Sequence, residues 1–432
     1  MDRIQSKLDD IYMDLENNVT KIYERRDLHL LFDLCWHSVI QFNFMGQLLT
    51  RGWVEVLCVG DTRCGKTKTA ERLLAHYRAG EMGTGENTSL AGLLGGMQQL
   101  NKQWSITWGK LPRNDRKLVV IDECSNIPAQ LMSEFATCRS EGIARITKIQ
   151  TEQTFSRTRA IWISNPRSDR GGVSRAISSY DFGVLTIPEL IGRQADIARF
   201  DIACIVANGE VSEDVIFKQF PQLPQHTYTS DRTHALVMWA WSRLPGDIRI
   251  LSESEQEIVV QSKRLAAKYH DSIPLIKLEE LPEKFARLSV ALAARLYSSP
   301  DGHSLVVLPE HVVTIGSFID RLYSKPSMGY DQYSRKLLEA GSIENETMVI
   351  DKIKPYGKEF VSGILTYDII RQNIIEDLTG LEREGVRSFI SFLVRSRALR
   401  PEYAWYRKTP AFIKMLKKMD TGKIHVEYRE EF

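Results

Sequence analysis

Gly60-Asp61-Thr62-Arg63-Cys64-Gly65-Lys66-Thr67 meets the spacing GxxxxGK[ST] without a mismatch. Glycines at these places let a loop turn its backbone N–H groups inward, and a helix that starts at the end of the loop adds the positive end of its dipole. Together they cradle phosphate oxygens. Lys66 is then the cation for β and γ oxygens and Thr67 the hydroxyl ligand of Mg²⁺, with Lys68 closing the candidate ATP site at the helix start. Asp122 lies 55 residues beyond Thr67, and Glu123 follows it at the end of an apolar run. Phosphoryl transfer needs one acid to hold the metal through water and another to activate the attacking water, so Asp122 is the expected metal residue and Glu123 the general base. Asn165 ends another apolar run and is a candidate to orient that water; by itself it is a turn residue before Pro166. Arg199, in Ile197-Ala198-Arg199-Phe200-Asp201, is a candidate arginine finger, with a surface ion pair as the plainer explanation.

Elements must hold these groups in place. Residues 53–59 (WVEVLCV) read as a buried strand running into the loop, and 66–77 as the helix after it. Residues 117–124 (KLVVIDEC), 159–164 (RAIWIS) and 202–206 are further buried strands, so an α/β domain with a parallel sheet covered by helices is expected over residues 51–230. Residues 1–50 carry a helical period and form a preamble. Residues 231–325 turn helical (THALVMWAWSRL, ESEQEIVVQSKRLAAKYH, EKFARLSVALAARLYS, EHVVTIGSFIDRLYS) and suit a lid, and 326–354 read as a polar connector. In 355–432, two helices about Leu378-Thr379-Gly380 and an aromatic ribbon suggest a winged helix. On its recognition helix Arg387, Ser388, Ser391 and Arg395 would face DNA while Val386, Phe389, Ile390 and Leu393 are buried; Tyr403, Trp405, Tyr406, Arg407 and Lys408 would form the wing. Such a domain can equally dock a protein.

Composition narrows the class. The 432 residues include 57 Lys and Arg against 55 Asp and Glu, a net charge of +2, so a basic surface must be local. Cysteines at 35, 58, 64, 124, 138 and 204 make no CxxC pair and no zinc spacing, and are expected to pack. With no apolar run of about 18 residues and no signal-peptide pattern, a cytoplasmic protein without a membrane partner is expected.

Several ordered segments resemble one family, the MCM (minichromosome maintenance) helicases, which are AAA+ ATPases. Residues 84–93, TGENTSLAGL, are similar to the family's TGxGSSAAGL, and the Trp-containing stretch 97–110 stands where the family carries its helix-2 insert hairpin. Residues 141–155, EGIARITKIQTEQTF, look like the pre-sensor-1 hairpin; SRTR at 156–159 resembles the NAR segment, SNP at 164–166 resembles ANP, and ARFD at 198–201 resembles SRFD. The resemblance covers about residues 45–325 and implies a P-loop AAA+ core with β-hairpin inserts, a helical lid and a C-terminal winged helix. It implies DNA-gripping Lys148 and Arg145 on the second hairpin, Trp104 and Lys110 in the first, and Arg199 reaching a neighbouring subunit's ATP. Sensor 2 falls on Lys284 or Arg287, and Arg287 is carried forward as ATP-binding. Departures are CGKT where the family has an alanine before the lysine, and the lack of a counterpart to its N-terminal zinc and OB region. A separate primase or N-terminal-domain protein is accordingly a candidate partner. The implied activity is ATP-driven translocation and unwinding of single-stranded or forked DNA by a homo-oligomeric ring, a hexamer, in replication of a phage or mobile element. Alternatives are a DNA-encircling remodeller of a defence system and an assembly module switched by nucleotide.

Overall fold

A computed structural model describes residues 2–84, 89–100, 103–147, 151–168, 175–217, 226–341, 346–402 and 405–421. The chain folds as two compact units, residues 1–332 and 333–432.

The first unit is built on a parallel sheet whose five strands are numbered here in chain order: β1 (Glu55–Gly60), β2 (Glu81–Thr84), β3 (Leu118–Asp122), β4 (Arg159–Ser164) and β5 (Ile202–Val206). Their spatial order is β5-β1-β4-β3-β2. Every residue of β1, β3, β4 and β5 is buried, which explains their continuous apolar runs: strands covered on both faces need no polar alternation. In β4, Trp162 pairs with Leu57 on one side and Ile121 on the other. The α/β expectation therefore holds. The edge strand β2, whose sequence EMGT has no apolar run, was not expected.

Helices flank the sheet. The first part of the chain supplies α1 (Asp2–Leu15) and α2 (Arg26–Trp36), and α3 (Lys66–Tyr77) follows the glycine loop. The lid stretch forms the helices Ser230–Trp241, Ser252–Lys268, Leu281–Arg295 and Pro309–Tyr323, as the periodicity predicts. The preamble is not a separate piece. Asp33 on α2 accepts from Arg295 Nε at 2.6 Å and from the Tyr77 hydroxyl at 2.5 Å, and both members of the ion pair are fully buried. Burial works against the charge on Asp33, but Arg295, His37 and Tyr77 outweigh it and hold the carboxyl below its usual range. The preamble also ends in an antiparallel ladder, Phe42–Phe44 with Gln47–Leu49, rather than in helix.

Two antiparallel hairpins leave the unit: Gly95–Leu100 with Gln103–Trp108, and Ile143–Thr147 with Thr151–Phe155. They meet at Gly95, where a Cβ would stand 3.0 Å from Ile146 Cδ1.

In the second unit the helices Gly357–Thr366, Gln372–Thr379, Arg383–Arg395 and Pro410–Asp420 surround a three-stranded antiparallel sheet of Ile369–Ile370, Trp405–Lys408 and Leu399–Glu402. Gly380, with φ +66°, ends the second of these helices as its N–H donates to Glu376 O at 2.8 Å. Val386, Phe389, Ile390 and Leu393 are buried with Phe360, Ile375, Leu399 and Phe412. The expected polar connector is itself helical, in Tyr330–Gly341 and Glu346–Ile353. No helix among the described residues is long and apolar enough to cross a membrane.

Candidate phosphate-binding site

The loop between β1 and α3 is shaped by close contacts. A Cβ on Gly60 would fall 2.2 Å from Val206 O, so only glycine lets β1 leave the sheet beside β5. Gly65 has φ +85°, open to glycine without strain, and its missing Cβ would lie 3.1 Å from Ile22 Cγ2. Asp61 anchors the loop from behind: its N–H donates to Val206 O at 3.0 Å, and its buried carboxylate accepts from Ile177 N at 2.7 Å and Asn208 N at 2.8 Å. Cys64 Sγ donates to Asn208 Oδ1 at 3.0 Å, and burial raises its thiol pKa although Lys66 pulls it down. All six cysteines are buried, and burial pushes Cys124 up to about 12 and Cys138 to about 11, so they pack, as expected.

Lys66, Thr67, Asp122, Glu123 and Asn165 line one cleft of about 540 Å³, together with Thr62, Arg63, Cys64, Gly65 and Lys68. Strand order explains the convergence. β4 lies between β1 and β3, so Asn165 at its end sits beside both the loop and the acids. Lys66 Nζ donates to Gly60 O at 2.8 Å, Asp61 O at 2.5 Å and Asn165 Oδ1 at 3.1 Å. It is buried, which lowers its pKa against the pull of nearby acidic groups. Burial raises the Asp122 carboxyl, opposed by hydrogen bonds from the Thr67 hydroxyl and from Glu123 N at 2.9 Å, and by Lys66. Thr67 and Asp122 offer hard oxygen donors side by side. They fit Mg²⁺, which takes one or two protein oxygens and completes its shell with phosphate and water. No group of three or more His, Cys, Asp or Glu suited to a metal occurs among the described residues. Lys68 points outward, pairing with Glu71 at 3.0 Å.

Three residues at or behind this cleft escaped sequence reading. Ile22, from the preamble, and Glu71, one turn into α3, line it. Arg167 sits behind Glu123. Glu123 has φ +54° and ψ +41°, a left-handed conformation that costs a non-glycine residue about 1 kcal/mol. The turn that follows is clamped by Arg167, whose guanidinium donates to Ser125 O and Ile127 O at 3.0 Å, Glu189 O at 3.0 Å and Leu190 O at 2.6 Å. Its position directly after Asn165-Pro166 was the only available signal.

Arg199 and Arg287 are elsewhere. Both line a larger cleft, about 1070 Å³, with Arg51 and Lys284. Of the two clefts only the smaller one is lined by the glycine loop. Arg287 Nε donates to Asp201 Oδ1 at 2.7 Å and its NH1 to Glu283 at 3.3 Å, so within one chain Arg287, expected to bind ATP, stands apart from the loop and in the same cleft as Arg199. On the Leu281–Arg295 helix, residues 284 and 287 share a face that meets Asp201; Arg295, two turns on, pairs with Asp33 on α2 instead. Burial lowers Lys284 to about 8, and its Nζ donates to Leu275 O at 3.1 Å. Arg199 NH1 donates to Asp196 Oδ1 and Ala195 O, both at 2.8 Å, while its buried Nε has no hydrogen-bond partner among the described residues.

The DNA candidates divide. Lys148 lies outside the described residues, and so does the side chain of Trp104, whose backbone is in the first hairpin. Lys110 is corrected: its ammonium holds β2, at 3.0 Å from both Met82 O and Glu81 Oε1. Arg145 is exposed on the second hairpin, 3.4 Å from Gln153 Oε1, and Arg387 and Arg395 are exposed on the Arg383–Arg395 helix. Lys408 is corrected too, being buried with its Nζ on Ile364 O at 2.7 Å and Leu365 O at 3.0 Å. No protein-family model matches the chain, and no curated protein matches it.

Proposed function

We propose that the chain is an ATP hydrolase of the MCM-like AAA+ type that works as a ring, a hexamer, translocating on DNA and separating its strands. The observation that carries this is the convergence of Lys66, Thr67, Asp122, Glu123 and Asn165 on one cleft. Lys66 neutralises β and γ oxygens, and Asn165, already bonded to its ammonium, holds it toward the γ position. Glu123 takes the proton of the attacking water. Thr67, and Asp122 through water, would hold Mg²⁺, which would supply charge neutralisation of the phosphates.

Support for a ring comes from Arg199. It lines a cleft that does not contain its own chain's loop, so a role on a γ-phosphate requires a second subunit. The exposed Arg145 supports contact with DNA through the hairpins. The engagement of Lys110 with β2 favours one alternative, an assembly module in which nucleotide only sets ring formation. ATP turnover with and without single-stranded and forked DNA, beside Lys66→Ala and Lys148→Ala, tests both. Stimulation by DNA that both variants lose is expected; turnover indifferent to every DNA overturns the translocase.

A further inference from the structure

Charge is segregated within the second unit. Residues 383–418 hold ten Lys and Arg against two Asp and Glu, whereas residues 333–382 hold six against nine. The fold turns much of this charge outward. On the Arg383–Arg395 helix the positions 383, 387, 391 and 395 form one stripe at a spacing of four, reading Arg, Arg, Ser, Arg, all exposed, while the opposite side is core. On the ribbon that follows, Leu399 and Lys408 face inward, so their neighbours Arg400 and Arg407, directly paired across the two strands, stand outward side by side. Arg407 has Glu402 at 3.4 Å and lies over the Trp405 ring at 5.3 Å.

Both arrangements set like charges together, each offset in part by one carboxylate, Glu376 at 3.9 Å from Arg383 and Glu402 at 3.4 Å from Arg407. Like charges at i and i+4 on a helix, or directly opposite on an antiparallel pair, destabilise the element that carries them. A polyanion relieves the repulsion, and the preference for arginine suits phosphate, which a guanidinium meets with a planar fork. The helix has 13 residues, about 20 Å in length, and a B-DNA major groove about 12 Å wide admits one helix. Its exposed side carries Ser388 and Ser391 between the arginines and no exposed aromatic residue, so it offers hydroxyls to base edges but no stacking platform for a single strand.

We propose that the second unit grips duplex DNA without needing nucleotide, the Arg383–Arg395 helix entering the major groove and the Arg400–Arg407 pair taking a flanking phosphate strand. This rests on the proposed function only for the choice of DNA as the polyanion. Arg387 and Arg395 are candidates from sequence; the structure adds Arg383, the ribbon pair and the preference for duplex.

The test is fluorescence anisotropy of the full chain without nucleotide, on a labelled duplex, a single strand, an RNA hairpin and phosphatidylserine vesicles. The duplex is expected to bind most tightly. Arg387→Glu with Arg395→Glu, and separately Arg400→Glu with Arg407→Glu, should each weaken it at least tenfold, with the thermal unfolding midpoint of the chain as the check on folding. Should a Glu variant fail to fold, replacing the same four arginines by Ala should lower the slope of log affinity against log salt by about 3 to 4. Duplex binding that survives all four substitutions with its slope unchanged overturns the proposal, as does tighter binding of single strand, RNA or vesicle. Duplex binding that behaves as expected beside DNA-indifferent ATP turnover overturns the translocase and leaves this grip standing. DNA-stimulated turnover with no arginine-dependent duplex binding does the reverse.

Discussion

Glu123 is held in a conformation its residue type disfavours, and that places demands on its neighbours. Glu123→Gln keeps shape and removes the proposed base, so kcat should fall by about 10² to 10⁴ while a fluorescent ATP analogue still binds. A variant with near-normal kcat would move the base elsewhere. Arg167 holds the Ser125 and Ile127 carbonyls, and in the proposed reaction it would act through them as a positioning residue. Arg167→Ala should lower kcat roughly 10²-fold with KM nearly unchanged, because a base displaced by about 1 Å costs that much. Arg167→Lys should not rescue it, since an ammonium cannot reproduce the guanidinium fork; a rise in KM alone would contradict this role. Lys66, Thr67, Asp122 and Glu123 were legible because phosphate chemistry dictates their types and spacing. Arg167 was not, because its partners are backbone carbonyls that only the fold assembles. For Arg287, likewise, spacing gives the helix face but not what that face meets, which is Asp201.

At the level of elements, legibility followed burial. The strands β1, β3, β4 and β5 announce themselves as apolar runs because both faces are covered, while β2 at the opposite edge from β5 and the Phe42–Phe44 ladder are too short and mixed to do so. The helices Ser230–Trp241, Ser252–Lys268 and Pro309–Tyr323 show their period because each has a wet side, whereas Leu281–Arg295 is buried nearly all round. The joint of α2, α3 and the Leu281–Arg295 helix was invisible, since Asp33 and Arg295 are 262 positions apart. Breaking that pair with Arg295→Met leaves a buried carboxylate uncompensated and should cost about 3 to 5 kcal/mol, read as a drop in urea midpoint. A loss below about 1 kcal/mol would mean that water reaches Asp33. Gly60→Ala meets Val206 O and should part β1 from β5, abolishing nucleotide binding even where the chain still folds.

For the whole molecule, two buried histidines set an acid limit. Burial lowers both His37 and His311 to about 4, and His311 Nδ1 accepts from Leu308 N, which a proton there would forbid. Their folded pKa lies below the unfolded value near 6.5, so the unfolded chain binds more protons between these limits, and stability falls as pH drops from about 7 toward 4. At pH 5 each should have lost about 2 kcal/mol, and His37→Gln should flatten the urea midpoint profile between pH 7.5 and 5. An unchanged profile would show the imidazole to be solvated. Subunit sharing is also testable. Lys66→Ala and Arg199→Ala should each be inactive alone, yet an equal mixture should recover about a quarter of wild-type turnover, because that share of interfaces pairs an intact loop with an intact arginine. No recovery would place Arg199 outside the reaction.

The joint at Asp33 has a mechanical consequence. It fastens the far end of the phosphate-loop helix to the lid through a charge pair sealed from solvent, and α2 is wedged there like a splint. Rocking the lid against the sheet within one subunit would strip that pair of its partner. In the proposed ring each protomer would therefore transmit force as a stiff lever, and the compliance that turns hydrolysis into movement would lie at the seams between protomers.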